Sequence, residues 1–131
     1  GYNDSGIELE KLSCWMVEQL GPEVPLHFSA FHPDWKMTHV ERTPHQTLIR
    51  AREIALANGI HHVYLGNVHD HQGSSTYCHA CGQILIGRDW YVLSDWNLDS
   101  QGRCSNCLKP CPGHFEPTPG SWGSRRQPVK V

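Results

Sequence analysis

The chain has 131 residues, a net charge of −2 with neutral histidines, and six cysteines; that length suits one domain, or a small domain with a partial second. With no basic cluster beyond Arg125 and Arg126, it lacks the cationic excess of a general nucleic-acid binder. No apolar run approaches the roughly 18 residues of a membrane span and no leader pattern opens the chain, so neither nucleic acid nor a membrane is expected as a partner, and a cytoplasmic location is.

The sequence opens at Gly1 without methionine, and GYNDSG reads as a loop entering a helix, as in a piece of a longer protein. Ser5-Gly-Ile-Glu8 has the spacing of a capping box, serine at the N-cap and glutamate at N3. Leu9, Leu12, Met16 and Leu20 then recur at helical spacing until Gly21-Pro22 stops the run, which predicts a helix over residues 6–20. PLHFSAF alternates, with Leu26, Phe28 and Ala30 on one side and His27 and Ser29 on the other, which predicts a short strand. FHPDWKMTHVER loses this period and reads as a loop in which Asp34 and Lys36 are placed to pair. Thr43-Pro-His-Gln46 predicts a second capping box with proline at N1, followed by a helix that stops at Gly59. HHVYLGN predicts another strand, Val63 to Leu65. The crossover between the two strands is long enough for a parallel pair.

Beyond Asn67 the chain becomes polar and rich in turn residues, and from Cys78 short apolar runs (ILIGR, WYVLSDW) alternate with turns. Residues 78–107 hold two Cys-x-x-Cys pairs, Cys78/Cys81 and Cys104/Cys107, 22 residues apart. Paired cysteines without a secretion leader favour a metal in a reducing compartment over a disulfide framework. Each turn can present two sulfurs, and a hairpin can bring the two turns around one tetrahedral ion. Structural Zn2+ is the expected occupant; iron in a similar four-sulfur site is the alternative that spacing does not exclude. Gly82 follows the first pair, whereas Leu108 stands at the equivalent point of the second and makes that turn less ideal. Cys111 is spaced to compete with Cys107 as a ligand or to remain a thiol, and Cys14 reads as a small core residue of the first helix.

Ten histidines invite other sites. His69-Asp70-His71 offers half a metal site without a third ligand and reads as a solvated loop. His61-His62 opens a strand. His32 lies just past a strand end, where ligands bind in parallel α/β architectures; its plain role is to hold the loop by hydrogen bonds. No phosphate-binding glycine loop, HExxH pattern or nucleophile elbow occurs, and no catalytic residue is assigned.

The succession PLHFSAFHPDWKM, TP-x-x-TL-x-RAREIAL-x-x-G, VY-x-GNV and TYC-x-x-CG-x-x-LI-x-R, with GYND before it and PG-x-F after it, resembles the C-terminal part of radical SAM enzymes related to pyruvate formate-lyase activating enzyme. The radical SAM proteins of the AmmeMemoRadiSam system are among those it resembles. The resemblance spans residues 1–117. It implies an α/β fold: C-terminal βα elements of a partial β/α barrel over 1–73 and a small four-cysteine zinc ribbon over 74–117. The proline-, glycine- and serine-rich end of the chain predicts a flexible tail over 118–131. The resemblance also implies that a complete parent enzyme binds S-adenosylmethionine and a four-iron four-sulfur cluster. The cluster's Cys-x-x-x-Cys-x-x-Cys motif is missing here, so this chain alone is expected to be inactive. By the same resemblance His32 matches a histidine that touches bound S-adenosylmethionine. The expected partner is the missing N-terminal barrel half or another protein, a second copy included. A stand-alone zinc-ribbon interaction module, anchored by Trp90, Tyr91 and Trp96, is the other reading.

Overall fold

The computed structural model describes residues 3–121 and 123–126. The chain forms two compact units, residues 1–74 and 75–131, in a mixed α/β fold with one small sheet in each.

The first unit runs α1 (Gly6–Leu20), β1 (Leu26–Ser29), α2 (His45–Ala57), β2 (Val63–Gly66) and α3 (His71–Ser74). Ser5 is the N-cap of α1, and its hydroxyl oxygen accepts from the Glu8 N–H at 3.3 Å. The second half of the box takes another form: the Ser5 hydroxyl donates to Glu8 Oε2 at 2.6 Å. Gly21, at φ 88°, closes the helix by donating to the Val17 carbonyl. The buried face of α1 is Leu9, Ser13 and Met16. Leu12 and Leu20, expected on that face, stay exposed, as do Ile7 and Trp15, because one helix and two strands cover only a narrow stripe. Cys14 is likewise exposed rather than a core residue, and its thiol donates to Asn58 Oδ1 at 3.2 Å.

The second helix starts one residue later than its sequence suggests. Pro44 is the N-cap, without a side-chain capping bond, and Thr43 is drawn off: its hydroxyl accepts from the Phe31 N–H at 3.0 Å and fastens the loop after β1. Strands β1 and β2 pair in parallel, Leu26 opposite Val63 and Phe28 opposite Leu65. Those four side chains face the helices and pack with Met16, Ala55, Ile60 and Leu48. The opposite face carries Ser29, Gly66 and the cross-strand rings of His27 and Tyr64, with centroids 4.9 Å apart. A Cβ at Gly66 would lie 2.6 Å from Ser29 Oγ, so a larger residue there would require the Ser29 hydroxyl to turn away.

The second unit is an antiparallel sheet in the order β3 (Thr76–Tyr77), β4 (Ile84–Asp89), β5 (Val92–Trp96). β4 and β5 form a hairpin with Asp89 opposite Val92, and one extra residue on β5 bulges the ladder between Arg88 and Ile86. Strand β3 and the one-turn α3 fall in a stretch whose composition predicts only loop. Asp70 starts α3 by accepting from the Gly73 N–H, and Arg88 holds β3 by donating to Thr76 Oγ1. Leu85, Ile86, Leu98 and Cys111 form a small core with Cys78 and Cys104, sealed by Leu93, Trp96 and Phe115. Phe115 lies edge-on to Trp96 and against two glycines, Gly102 and Gly113, where an added Cβ would sit 3.1 Å from the ring. Of the expected tail, residues 122 and 127–131 lie outside the described residues, and the rest of 118–126 carries neither helix nor strand. No helix among the described residues is long and apolar enough to cross a membrane.

Ile60, 2 % exposed, is the keystone of the first unit's core. Ile60→Ala is expected to lower the unfolding free energy of the full chain by about 2–4 kcal/mol, against about 1 kcal/mol for removal of the α1 cap in Ser5→Ala. Urea titration checks both values; equal effects would mean that Ile60 is not packed as described.

Candidate metal centre

The two cysteine turns are built alike. In the first, the Cys78 N–H donates to the Gln83 carbonyl at 2.8 Å and the Gly82 N–H to the Cys78 carbonyl at 2.9 Å. In the second, the Cys104 N–H donates to the Lys109 carbonyl at 2.9 Å and the Leu108 N–H to the Cys104 carbonyl at 2.8 Å. Both turns need a residue in the left-handed region, met by Gly82 at φ 74° and by Leu108 at φ 62°. Leucine there puts its Cβ against the backbone, at a cost of roughly 1–2 kcal/mol.

Each turn is fixed to the sheet. The first leads into β4 and its buried Leu85 and Ile86. The second is delivered by a tight reversal after β5. There Asp99 accepts from the Gln101 and Arg103 N–H groups, both at 2.9 Å, and from Arg103 Nε at 2.7 Å. The Arg103 amide bond, helped by the Arg103 guanidinium and the Gln101 amide, outweighs desolvation and leaves the Asp99 carboxyl below the usual carboxylate range. Leu98 then bridges to Cys104 and Arg103 to Pro110, and the Ser105 N–H reaches the Asn97 carbonyl.

These constraints gather the sulfurs of Cys78, Cys81, Cys104 and Cys107 within 4.8 Å of one another. Two cross-turn distances are 3.6 Å (Cys78 to Cys107) and 3.7 Å (Cys81 to Cys104). A disulfide needs about 2.05 Å. A tetrahedron with metal–sulfur bonds of about 2.3 Å has edges of about 3.8 Å, so the spacing fits four thiolates around one ion. Among the described residues no other group of three or more histidine, cysteine or carboxylate ligands is gathered this way. Cys111 is not in the set; it is buried in the core beside Cys78 and Cys104, with its N–H donating to the Gly102 carbonyl.

The electrostatics of the bare thiols favour a cation. The Gln83 N–H, and after it the Asn106 side chain, pull the Cys81 thiol down to about 6. At Cys107 the Lys109 N–H acts in the same direction, but desolvation and the hydrogen bonds shared with Cys81, Cys78 and Cys104 outweigh it and push the thiol up to about 12. Four sulfurs this close do not all ionise without a positive charge among them, and a divalent ion supplies it. With four protein ligands the ion would have no open position for a substrate.

The other sequence candidates do not converge. His32 is exposed in the loop after β1. Asp34 accepts from the Trp35 N–H, and the Lys36 ammonium lies 4.5 Å from the centre of the Trp35 ring rather than on Asp34. At the carboxyl ends of the two strands a cleft of about 340 Å³ is lined by Arg42, Thr43, Pro44, His45, Val68 and His69. Beside it His45 Nε2 meets Asp70 Oδ2 at 2.7 Å. Partial burial raises the Asp70 carboxyl, but the Gly73 N–H and His45 outweigh it and hold it below the usual range. Arg42 donates to the Asn67 carbonyl and ties the loop before α2 to the end of β2, while Asn67 Nδ2 donates to the Ala30 carbonyl and joins the two strand ends. Sequence reading missed the His45–Asp70 pair; the Asp70-x-x-Gly73 spacing of a helix cap is its only local mark.

Compared with known proteins, the chain is 45 % identical over 107 residues to the uncharacterized protein MJ0808 of Methanocaldococcus jannaschii, a match covering 81 % of this chain and 32 % of that protein. The chain thus spans about a third of the length of this relative. No family model matches the chain, and no solved structure matches it.

Leu108→Gly is expected to relieve the left-handed strain, less about 0.5–1 kcal/mol for the extra freedom of glycine in the unfolded chain. The net effect is zinc binding up to about fivefold tighter, read by competition with a chromogenic chelator; weaker binding would contradict the strain. Complete metal removal should abolish amide-exchange protection at Gly82 and Leu108. Protection that survives would mean the turns stand without an ion.

Proposed function

We propose that this chain is the C-terminal region of a radical SAM protein of the pyruvate formate-lyase activating enzyme type. In this reading the four-cysteine unit is a structural zinc ribbon and the first unit supplies closing βα steps of a partial β/α barrel. The observation that carries the reading is the one-sided parallel pair. β1 and β2 turn Leu26, Phe28, Val63 and Leu65 towards the helices and leave the exposed His27 and Ser29 and the half-buried Tyr64 and Gly66 on the other face. In a β/α barrel the outer strand face meets helices and the inner face lines the lumen, so that division of residues is the one a barrel wall needs. The outer edges of the two strands and the exposed Leu12 and Trp15 of α1 are further surfaces that neighbouring barrel elements would cover. The length of MJ0808, about three times the matched segment, leaves room for such elements.

Zn2+ held by Cys78, Cys81, Cys104 and Cys107 supplies folding free energy to a unit with a small core. His32, at the carboxyl end of β1, is the residue offered to S-adenosylmethionine in the assembled barrel. The radical chemistry resides in the complete cytoplasmic enzyme with its four-iron four-sulfur cluster. The missing barrel half is the first partner, and this chain alone is catalytically silent.

A second reading, a stand-alone zinc-ribbon interaction module, draws on the tip of the β4–β5 hairpin. Trp90, Tyr91 and Val92 are each more than 60 % exposed there and suit anchor residues of a protein interface. Trp96, the third candidate anchor, packs on the ribbon core with Phe115 instead.

Metal analysis of the purified chain is expected to give one equivalent of zinc and no iron. A brown, iron-loaded chain would overturn the zinc assignment. The gene upstream of Gly1 is expected to encode three cysteines spaced for a cluster; their absence there would favour the interaction module over the enzyme fragment.

A further inference from the structure

The four sulfurs do not share one environment. Cys78 is 4 % and Cys104 0 % exposed, both packed in the core with Leu85, Ile86 and Leu98. Cys81 and Cys107 face solvent. Each turn therefore contributes one inner and one outer ligand, and the outer two lie within 4.8 Å of each other. The turns also differ: the first relies on Gly82 and leads into β4, whereas the second holds Leu108 in the left-handed region with its side chain 58 % exposed. That backbone is held by the hydrogen bonds of the turn, and it relaxes if the turn opens.

We propose that the metal centre is a hydroperoxide-responsive site in which the outer pair, Cys81 and Cys107, is oxidised to a disulfide and the ion is released, with the second turn opening first. The proposal rests on the reading that these four cysteines hold a metal. The Cys81 thiolate attacks hydrogen peroxide: an S–O bond forms, the O–O bond breaks and hydroxide leaves, giving a sulfenic acid. The Cys107 thiolate attacks that sulfur: an S–S bond forms, the S–O bond breaks and a second hydroxide leaves. The two hydroxides take up two protons as water. The sulfurs together lose two electrons and the peroxide gains them, so the metal departs with its charge unchanged. Cys78 and Cys104 alone leave the ion with two ligands, too few to hold it in a structural site. Their burial directs oxidation to the outer pair and away from every other link among the four, the close cross-turn pairs Cys78–Cys107 and Cys81–Cys104 included, since each would need a buried sulfur.

The test uses the full chain loaded with zinc, its metal content measured first. If zinc does not bind, both the metal-centre reading and this proposal fail; every later step tests the proposal alone. Hydrogen peroxide is then added, zinc release is followed with a chromogenic chelator, and disulfides are mapped on peptides without reduction. The expected result is one zinc released per Cys81–Cys107 disulfide, reversed by dithiothreitol and added zinc. Any link that includes Cys78 or Cys104 as the main product, the close cross-turn pairs Cys78–Cys107 and Cys81–Cys104 included, overturns the proposal, as does zinc retained after the exposed Cys14 has been oxidised. A short iodoacetamide pulse on the zinc-loaded chain should modify Cys81 and Cys107 about tenfold faster or more than Cys78 and Cys104, with Cys14 as the exposed reference. Even labelling of the four counts against it. Leu108→Gly should slow peroxide-driven release by about two- to fivefold; an unchanged or faster rate removes opening at the second turn.

Discussion

Four sulfurs within 4.8 Å of one another dominate the second unit. Thiols crowded to this extent repel as thiolates and satisfy one another poorly as neutral groups, so the arrangement makes sense around a cation. The rest of that unit serves to bring the two turns to the same point. The β4–β5 hairpin sets the span between them, Asp99 reverses the chain before the second, and Asn97 ties both ends to β4 by donating from its backbone and side chain to the Leu85 and Ile84 carbonyls. The apolar core is only a few residues deep, and two of the sulfurs belong to it. Binding of an ion by these sulfurs would therefore be coupled to hydrophobic packing in this unit.

The first unit follows a different logic. Its two strands are joined by a helical crossover and depend on α1 and α2 for the burial of one face only. Thr43 illustrates how tertiary demands outrank local ones. Its sequence context suits a helix cap, yet its hydroxyl goes to the Phe31 N–H twelve residues earlier, because fastening the loop after β1 closes the crossover. The helix starts uncapped as a result. Arg42 and the His45–Asp70 pair add ties around the same strand ends, so the carboxyl side of the sheet is the better braced end.

Much of this was legible in the sequence. The extent of α1, the parallel pair and the inner and outer alternation of β1 follow from apolar spacing and from Gly21 and Gly59. The gathering of the four cysteines follows from two Cys-x-x-Cys turns at a hairpin's separation. What stayed hidden depends on contacts without a local mark. Strand β3 is two residues long and exists because Ser75 and Thr76 receive bonds from Arg88. Leu12 and Leu20 keep the helical period of the core without the neighbours to bury them. Cys14, apolar by type, sits where Asn58 offers an acceptor. Leu108 was readable as an awkward residue; that its turn still closes with the same two bonds as its glycine counterpart was not.

That equivalence makes the molecule its own reference state. Cys78, Gly82 and Gln83 take the same hydrogen-bonding roles as Cys104, Leu108 and Lys109. Two half-sites with matching backbone bonds but unlike occupants of one torsional well sit in a single polypeptide at identical temperature, solvent and ligand activity. A difference in their opening frequencies that vanishes in Leu108→Gly would report the penalty of a branched side chain on mirror-handed backbone within a single protein.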